Sequence, residues 1–473
     1  MKFNVNVKQG VEVKLVFEDK TTCPCLKALV ESKVFEGKLG QIYIRLLEDK
    51  SFKIYLGLGK EKDLTLKDLR VTFYQLANEV SKLNINEISF EVLKFNGLCS
   101  YKTAFNIAEG MLCSEYEFNK FKSEKTSKAE LTVNYNVNPE KQQKVEEGIL
   151  DATHVVEGMF LTRDLINQPA NVIYPETLAN IALEELEKEN VKVTVYDLKD
   201  IEALHMHAFL NVARASAKEP RLIVMEYMNN SDSLEKVGLI GKGVTYDCGG
   251  LAIKPAASMV TMFDDMGGSA TVIGTIKALA KAKAKCNVVG VVAACENMIN
   301  GDAYRNGDII QSMSGKTIEI INTDAEGRLT LADAIYYATN NLQCSKVIDI
   351  ATLTGACLSA LGEQVSGVVT NNKEFYQQLE EASIQAQEYI HLFPNLPYYE
   401  KMNHSEVADI KNAGGKYGGA ITAGLFVGSF LAKEMPWLHI DIAGTAYIST
   451  PYDCNKKGAT GSMVKTLFHL LNK

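Results

Sequence analysis

Apolar and polar residues alternate from the start of the chain. MKFNVNVKQGVEVKLVF has the period of two that turns one face of a strand toward a core. QIYIRLL and FKIYLGLG repeat that signal between charged turns, whereas LTLKDLRVTFYQLANEVSKLN and YKTAFNIAEGMLCSEYEFNKF carry apolar residues three and four apart and predict helices. A polar patch and a strand then lead to a long helix. Its start is predicted at Asn138-Pro139, where Asn can cap and Pro fits the first turn, and its end at Gln168-Pro169. Beyond it ETLANIALEELEKEN precedes VKVTVYD, and RLIVMEYM, KVGLIGKGV, CNVVGVVAAC, KVIDIAT and WLHIDIAG form short apolar runs between helical stretches. Runs that are apolar on both faces suit a mostly parallel or mixed sheet covered by helices. The pattern predicts an α/β protein of two domains. A smaller N-terminal α/β domain spans 1–137, a connecting helix 138–167, and a larger C-terminal domain 168–473.

Composition narrows this picture. At 473 residues, 46% hydrophobic and 23% charged, the chain can bury a large core. No apolar run is long enough to cross a membrane. The N-terminus reads as a strand without a signal core, so a cytoplasmic location is expected. The ten cysteines are scattered, with only Cys23 and Cys25 close together, and read as reduced thiols. His205 and His207 in ALHMHAF, inside an apolar helix-like run, read as packed rather than as zinc ligands. Net charge is −8; to residue 140 there are 21 Lys+Arg against 19 Asp+Glu, so the acidic excess lies beyond. Neither fact favours nucleic acid as a partner.

Two segments break the globular pattern: IGKGVTYDCGGLAIKPAASMVTMFDDMGGSA (240–270) and SMSGKTIEIINTDAEGRLTLADA (312–334). Both place charges among glycines at the ends of apolar strands, where open α/β sheets bind ligands. Lys242 and Asp247 follow KVGLIG, Lys254 comes seven residues after Asp247, and Asp265 opens a predicted helix. Asp324, Glu326 and Arg328 alternate; on an extended stretch all three would share one face. Four converging carboxylates repel and raise each other's pKa unless cations neutralise them. Two divalent ions sharing carboxylates would resolve the repulsion and polarise a water. Ordinary surface charges are the other reading, since Asp beside glycine is a common turn former. A phosphate loop is a weak alternative, because neither GxxxxGK[ST] nor GxGxxG is present. With no histidine in either segment, oxygen ligands would favour ions such as Mg or Mn.

NTDAEGRL, together with GKGVTYDCGGLAIKP and DDMGGSA, resembles the signature segments of the leucyl aminopeptidases, the M17 cytosol aminopeptidase family. The likeness continues through RDLINQPAN, ENMINGDAYRNGD, DIATLTGA, KYGGAITAGLF and HIDIAGTAY, from about residue 160 to the end. The resemblance implies a metal-dependent aminopeptidase that removes a leucine-like N-terminal residue from short peptides with a free N-terminus. It implies two divalent ions per subunit, Zn or Mn first, with Mg or Co as alternatives. One ion would be held by Lys242, Asp247, Asp265 and Glu326; the other by Asp247, Asp324 and Glu326, with the Asp324 carbonyl helping. Lys242 as a ligand requires a neutral amine. Lys254 would stabilise the oxyanion, and Arg328 would hold a bicarbonate acting as general base. Met262, Thr352, Gly355 and Ala443 would line the pocket for the first side chain, with the Leu353 backbone touching substrate. Met262 alone would read as core. A homohexamer with inward-facing sites is also implied.

The chain departs from the family pattern in three places. Cys248 stands where serine is usual, and Ile299 and Asn306 where proline is common; none is a ligand position. Two alternatives share the resemblance: a cysteinylglycine dipeptidase, and a DNA-binding or regulatory role seen in some bacterial relatives. A catalytically dead scaffold would be expected to lack a ligand or Lys254, and every such position is filled.

Overall fold

A computed structural model describes residues 1–20, 24–92, 95, 97–124 and 129–472. Cys23 therefore lies outside the described residues, as does part of the polar patch before residue 129. The cysteines with described side chains form no disulfide. The chain divides into two compact units: 1–156 with 451–455, and 157–450 with 456–473. Among the described residues no helix is long and apolar enough to cross a membrane.

In the first unit a six-stranded sheet runs in the order Lys2–Val5, Thr132–Asn136, Glu87–Glu91, Val11–Val16, Phe52–Gly57 and Ile42–Leu46. All neighbours are parallel except the last pair. The helix Leu66–Lys82 begins at a capping box, in which Thr65 and Asp68 satisfy each other's backbone N–H. It buries Leu69, Phe73, Leu76, Ala77 and Val80 at helical spacing. Phe73, Phe90 and Tyr135 stack in a chain, with ring centroids 5.0 and 4.7 Å apart. The predicted second helix is shorter than its pattern, ending at Cys113, and an unpredicted eight-residue helix spans Pro24–Glu31. Strands Val11–Val16 and Glu87–Glu91 pair over only two residues before they part. A cleft of about 1010 Å³ opens there, lined by Asn6, Lys8, Lys14, Ser89, Glu91 and Asn136 among others.

The second unit holds an eight-stranded sheet: Tyr389–Leu392, Val365–Thr370, Trp437–Asp441, Lys346–Ala351, Val237–Asp247, Asn287–Asn297, Arg221–Met228 and Lys192–Tyr196. The sheet is mixed: the central strands are mutually parallel, whereas Val365–Thr370, Arg221–Met228 and Lys192–Tyr196 bring in antiparallel pairs. Val237–Asp247 lies at its middle and is buried along almost its whole length. Gly241 faces the helix Gly267–Lys281, while Lys242, on the opposite face, meets Gly327 of the helix Gly327–Asn340. Helices therefore cover both faces, as continuous apolar strands require.

The long helix runs Gln142–Asn167 after a short turn that Asn138 caps by accepting from Glu140 N. His205 corrects the expectation of packed histidines, whereas His207 is half-buried at the start of the helix His207–Ala213. His205 sits exposed in a turn with φ 57°, between two short helices rather than within one.

Candidate active site

The second unit's crevice forms at the carboxyl ends of the three central parallel strands, Val237–Asp247, Asn287–Asn297 and Lys346–Ala351. Close backbone packing fixes its floor. A Cβ on Gly268 would lie 2.0 Å from the Ile350 carbonyl oxygen, and one on Gly241 would lie 2.6 Å from Ser269 Cα. The helix Gly267–Lys281 therefore seats directly on the strand and delivers Asp265, two residues before its start, beside Lys242. Gly327 performs the same service on the other side, since a Cβ there would meet Lys242 Cε at 2.4 Å.

Lys242 Nζ lies 2.7 Å from Asp265 Oδ1 and 2.9 Å from Glu326 Oε1, and donates to the Thr352 carbonyl at 3.0 Å. Lys254 Nζ lies 2.9 Å from Asp247 Oδ2 and 2.6 Å from Asp324 Oδ1. Asp247, Asp265 and Glu326 are all buried and offer oxygens within 4.8 Å of one another. The structure thus brings together all six of these sequence-predicted residues, but not by the expected route. Residues 322–326 form a turn, Glu326 is already helical at φ −80° and ψ −38°, and Gly327 opens a helix. Asp324 and Glu326 converge because the chain turns between them, not because they share a face of a strand.

Charge is not balanced here. Burial pushes the Asp247 carboxyl up to about 6, helped by the neighbouring charge of Glu326. Burial also raises Asp265 well above the usual range, despite Lys242, and raises Asp324. The adjacent Asp264 is pushed up to about 7 by burial. Burial opposes the charge on both lysines, yet the surrounding carboxylates outweigh it and hold both ammoniums above the ordinary lysine range. Glu326 goes the other way: burial works against it, but Lys242 and Lys254 prevail and keep it low. Four carboxylates thus face two ammonium groups, and Asp265 Oδ2 is buried without a hydrogen-bond partner. A hard cation is the group that this donor set fits.

Arg328 stands in the first turn of the helix Gly327–Asn340. Its Nη1 donates to the Asn412 carbonyl at 2.7 Å, its Nε is buried without a partner, and burial pulls its pKa down to about 10. An anion would satisfy that vacant donor.

Three of the predicted pocket residues, Thr352, Leu353 and Ala443, hydrogen-bond to Asp265 or Asp441. Thr352 Oγ1 donates to the Asp265 carbonyl at 3.0 Å. Asp441 accepts from Leu353 N at 3.3 Å, Thr354 Oγ1 at 2.6 Å and Ala443 N at 3.0 Å. Gly355 opens a helix that Thr354 caps, and a Cβ there would meet nothing within 4 Å. Met262 begins the short turn that leads into Asp265.

Three residues carry this architecture without having been picked from sequence: Asp441, Asn297 and Asn412. The fully buried Asn412 carboxamide accepts from Ile321 N and Asn322 N and donates to Asn322 O, bracing the turn before Asp324. HIDIAG and DIKNAGG showed an Asp at a strand end and an Asn beside glycines. Nothing in either run revealed its partners, which lie far away in the chain.

Over residues 160–468 the sequence matches the catalytic domain of the cytosol aminopeptidase family, and over 11–125 that family's N-terminal domain. The chain belongs to the cytosol aminopeptidase family and is a hydrolase of the aminopeptidase class. It is 60% identical over 474 residues to a probable cytosol aminopeptidase of Treponema denticola, covering 100% of each. It is 43% identical to that of Clostridium tetani, covering 99% of this chain and 98% of the other. Among solved structures, a mutant of tomato leucine aminopeptidase superposes with TM-score 0.88 at 31% identity, covering 100% of this chain and 96% of that one. The bottromycin maturation enzyme BotP in complex with Mn gives TM-score 0.88 at 30% identity, covering 98% and 99%.

Proposed function

We propose that this aminopeptidase works with two divalent cations and removes a leucine-like first residue from short peptides. The observation that carries the reading is the buried, charge-unbalanced trio Asp247, Asp265 and Glu326, with Asp324 joined to it through Lys254. Lys242, Asp247, Asp265 and Glu326 would hold one cation, and Asp247, Asp324 with its carbonyl, and Glu326 the other. When bound, the cations supply Lewis acidity toward a carbonyl and toward water. Zn and Mn are the leading candidates, with Mg or Co as alternatives; the Mn complex of the BotP neighbour supports Mn.

The chain's own residues divide the remaining work. Lys242 must give up its proton to serve as a ligand, and the approach of dications is what would drive that loss. Lys254, 16% exposed, would donate to the oxygen of the scissile carbonyl as negative charge develops there. Arg328 would hold bicarbonate on its vacant Nε. Met262, Thr352, Gly355 and Ala443 would shape the pocket for the first side chain. Because Leu353 N is donated to Asp441, its carbonyl is the backbone group left for the peptide. The helix 138–167 would connect a domain at 1–137 to the peptidase domain at 168–473, in a cytoplasmic homohexamer.

The test is hydrolysis of leucine amide by metal-stripped protein after addition of Zn, Mn, Mg or Co, with Glu326→Ala as control. Activity restored by an ion in the wild type, and absent from the variant, is the expected result. No turnover with any ion, in protein shown to be folded, would sink the two-metal reading.

A further inference from the structure

We infer that Asn297 is a positioning residue for the Asp247 carboxylate, fixing which of its two oxygens faces the cation site. This assignment rests on the two-metal reading above. Asn297 is fully buried at the end of strand Asn287–Asn297. Its Nδ2 donates to Asp247 Oδ1 at 2.7 Å and to the Thr323 carbonyl at 3.1 Å. Its backbone carbonyl accepts from Cys248 N at 3.1 Å. The side chain thus ties Asp247 to the turn before Asp324, while the backbone of the same residue holds the loop after Asp247.

The juxtaposition depends on a bulge. Along the parallel pair Cys295 lies opposite Val244, but the register then shifts, so that Glu296 faces Tyr246 and Asn297 faces Asp247. Without the shift Asn297 would stand opposite Tyr246, whose side chain points to the other face of the sheet. The irregularity therefore places amide and carboxylate on one face.

The consequence for Asp247 is rotational. Its Oδ1 accepts from both Asn297 Nδ2 and Gly249 N, each at 2.7 Å. A carboxylate held twice through one oxygen cannot swing, so Oδ2 is presented to the site, where Lys254 Nζ now sits at 2.9 Å. Outer partners of metal ligands act in this way: they set orientation before the ion arrives. Tyr304 provides an internal contrast. Its hydroxyl donates to the same Thr323 carbonyl at 2.8 Å, and no hydrogen bond joins it to Asp247.

The experiment titrates metal-stripped full-length protein with Mn²⁺ alone by calorimetry and follows thermal unfolding of the metal-free protein alongside. Asn297→Ala is expected to bind Mn²⁺ about 10–100-fold more weakly than wild type, with kcat recovering as Mn²⁺ is raised. Asn297→Asp, which sets a carboxylate against Oδ1, should be weaker still, while Tyr304→Phe keeps wild-type affinity. Should Asn297→Ala fail to fold, Asn297→Ser replaces it, too short to reach Asp247 but able to hydrate the site. Wild-type Mn²⁺ affinity in a folded Asn297 variant that is merely less heat-stable would reduce the residue to a structural role and overturn the assignment. Equal losses in Asn297→Ala and Tyr304→Phe would overturn it too, since the effect would then run through Thr323. If wild type itself bound no Mn²⁺, Zn²⁺, Mg²⁺ or Co²⁺, the proposed function would fail first.

Discussion

Each of the two large sheets in this chain ends in a crevice, and the two are lined in opposite ways. In the first unit the cleft beside Val11–Val16 is lined by polar groups most of which are answered or open to water, the buried Oδ1 of Asn136 excepted. Glu12 pairs with Lys53 at 2.7 Å, Asn136 donates to Ser89 at 2.9 Å, and Lys8 and Glu91 are exposed. In the second unit the charges at the strand ends are buried, crowded and in acidic excess, with vacant polar atoms at Asp265 and Arg328. A parallel sheet supplies a crevice as a matter of geometry. Reactivity requires in addition that charge be buried without enough counter-charge to settle it.

If that contrast is right, substitutions in the second crevice should cost rate while those in the first unit cost stability. The largest effect is expected at Lys254. Lys254→Ala should lower kcat by about 100–1,000-fold, as loss of an oxyanion donor does, with KM changing far less. Steady-state kinetics on leucine amide decides it, and a loss confined to KM would make Lys254 a binding group instead.

In the first unit Arg70 and Glu109 form a buried ion pair at 3.3 Å. Glu109→Ala should destabilise the fold by about 3–5 kcal/mol, because a guanidinium is left in the interior without its carboxylate. The urea midpoint should fall while kcat of the folded fraction holds. A reduced kcat at unchanged stability would break the division of labour between the units.

The smallest effect concerns Asp333, a carboxyl that is fully buried in the second unit yet lies outside its crevice. It accepts from Phe209 N at 3.0 Å and Met313 N at 2.8 Å, and burial pushes it up to about 7. Unfolded, it titrates near 4. Between those values the folded chain keeps a proton that the unfolded chain has lost. Its contribution is therefore complete below about pH 4 and is lost as pH rises through about 7. Asp333→Asn, always neutral, should flatten that slope in unfolding experiments between pH 4 and 8. An unchanged slope would mean that the backbone donors keep the carboxylate ionised.

The catalytic unit was the more legible of the two because its elements and its site share the same residues. Continuous runs such as KVGLIGKGV announced buried strands, and the charges at their ends announced the crevice. Legibility stopped where a contact depends on a remote partner. Asn297 reaches Asp247 only through a bulge, and Asp441 and Asn412 act on segments that are close in space and distant in sequence. TDAEGR was misread in form because alternation of charge looks the same in a strand and in a turn that starts a helix. The eight-residue helix Pro24–Glu31 was missed because so short an apolar run does not separate helix from strand.

Gly241, Gly268 and Gly327 have no reactive atom, yet each makes room that no other residue could leave. A saturation scan scored on peptide cleavage should therefore mark these positions as intolerant as the carboxylates themselves, and they would be mistaken for chemistry. Anyone grafting this site onto another scaffold would have to transplant that helix-on-strand contact together with the charged side chains. Without it nothing would hold the same acids and lysines to the convergence seen here.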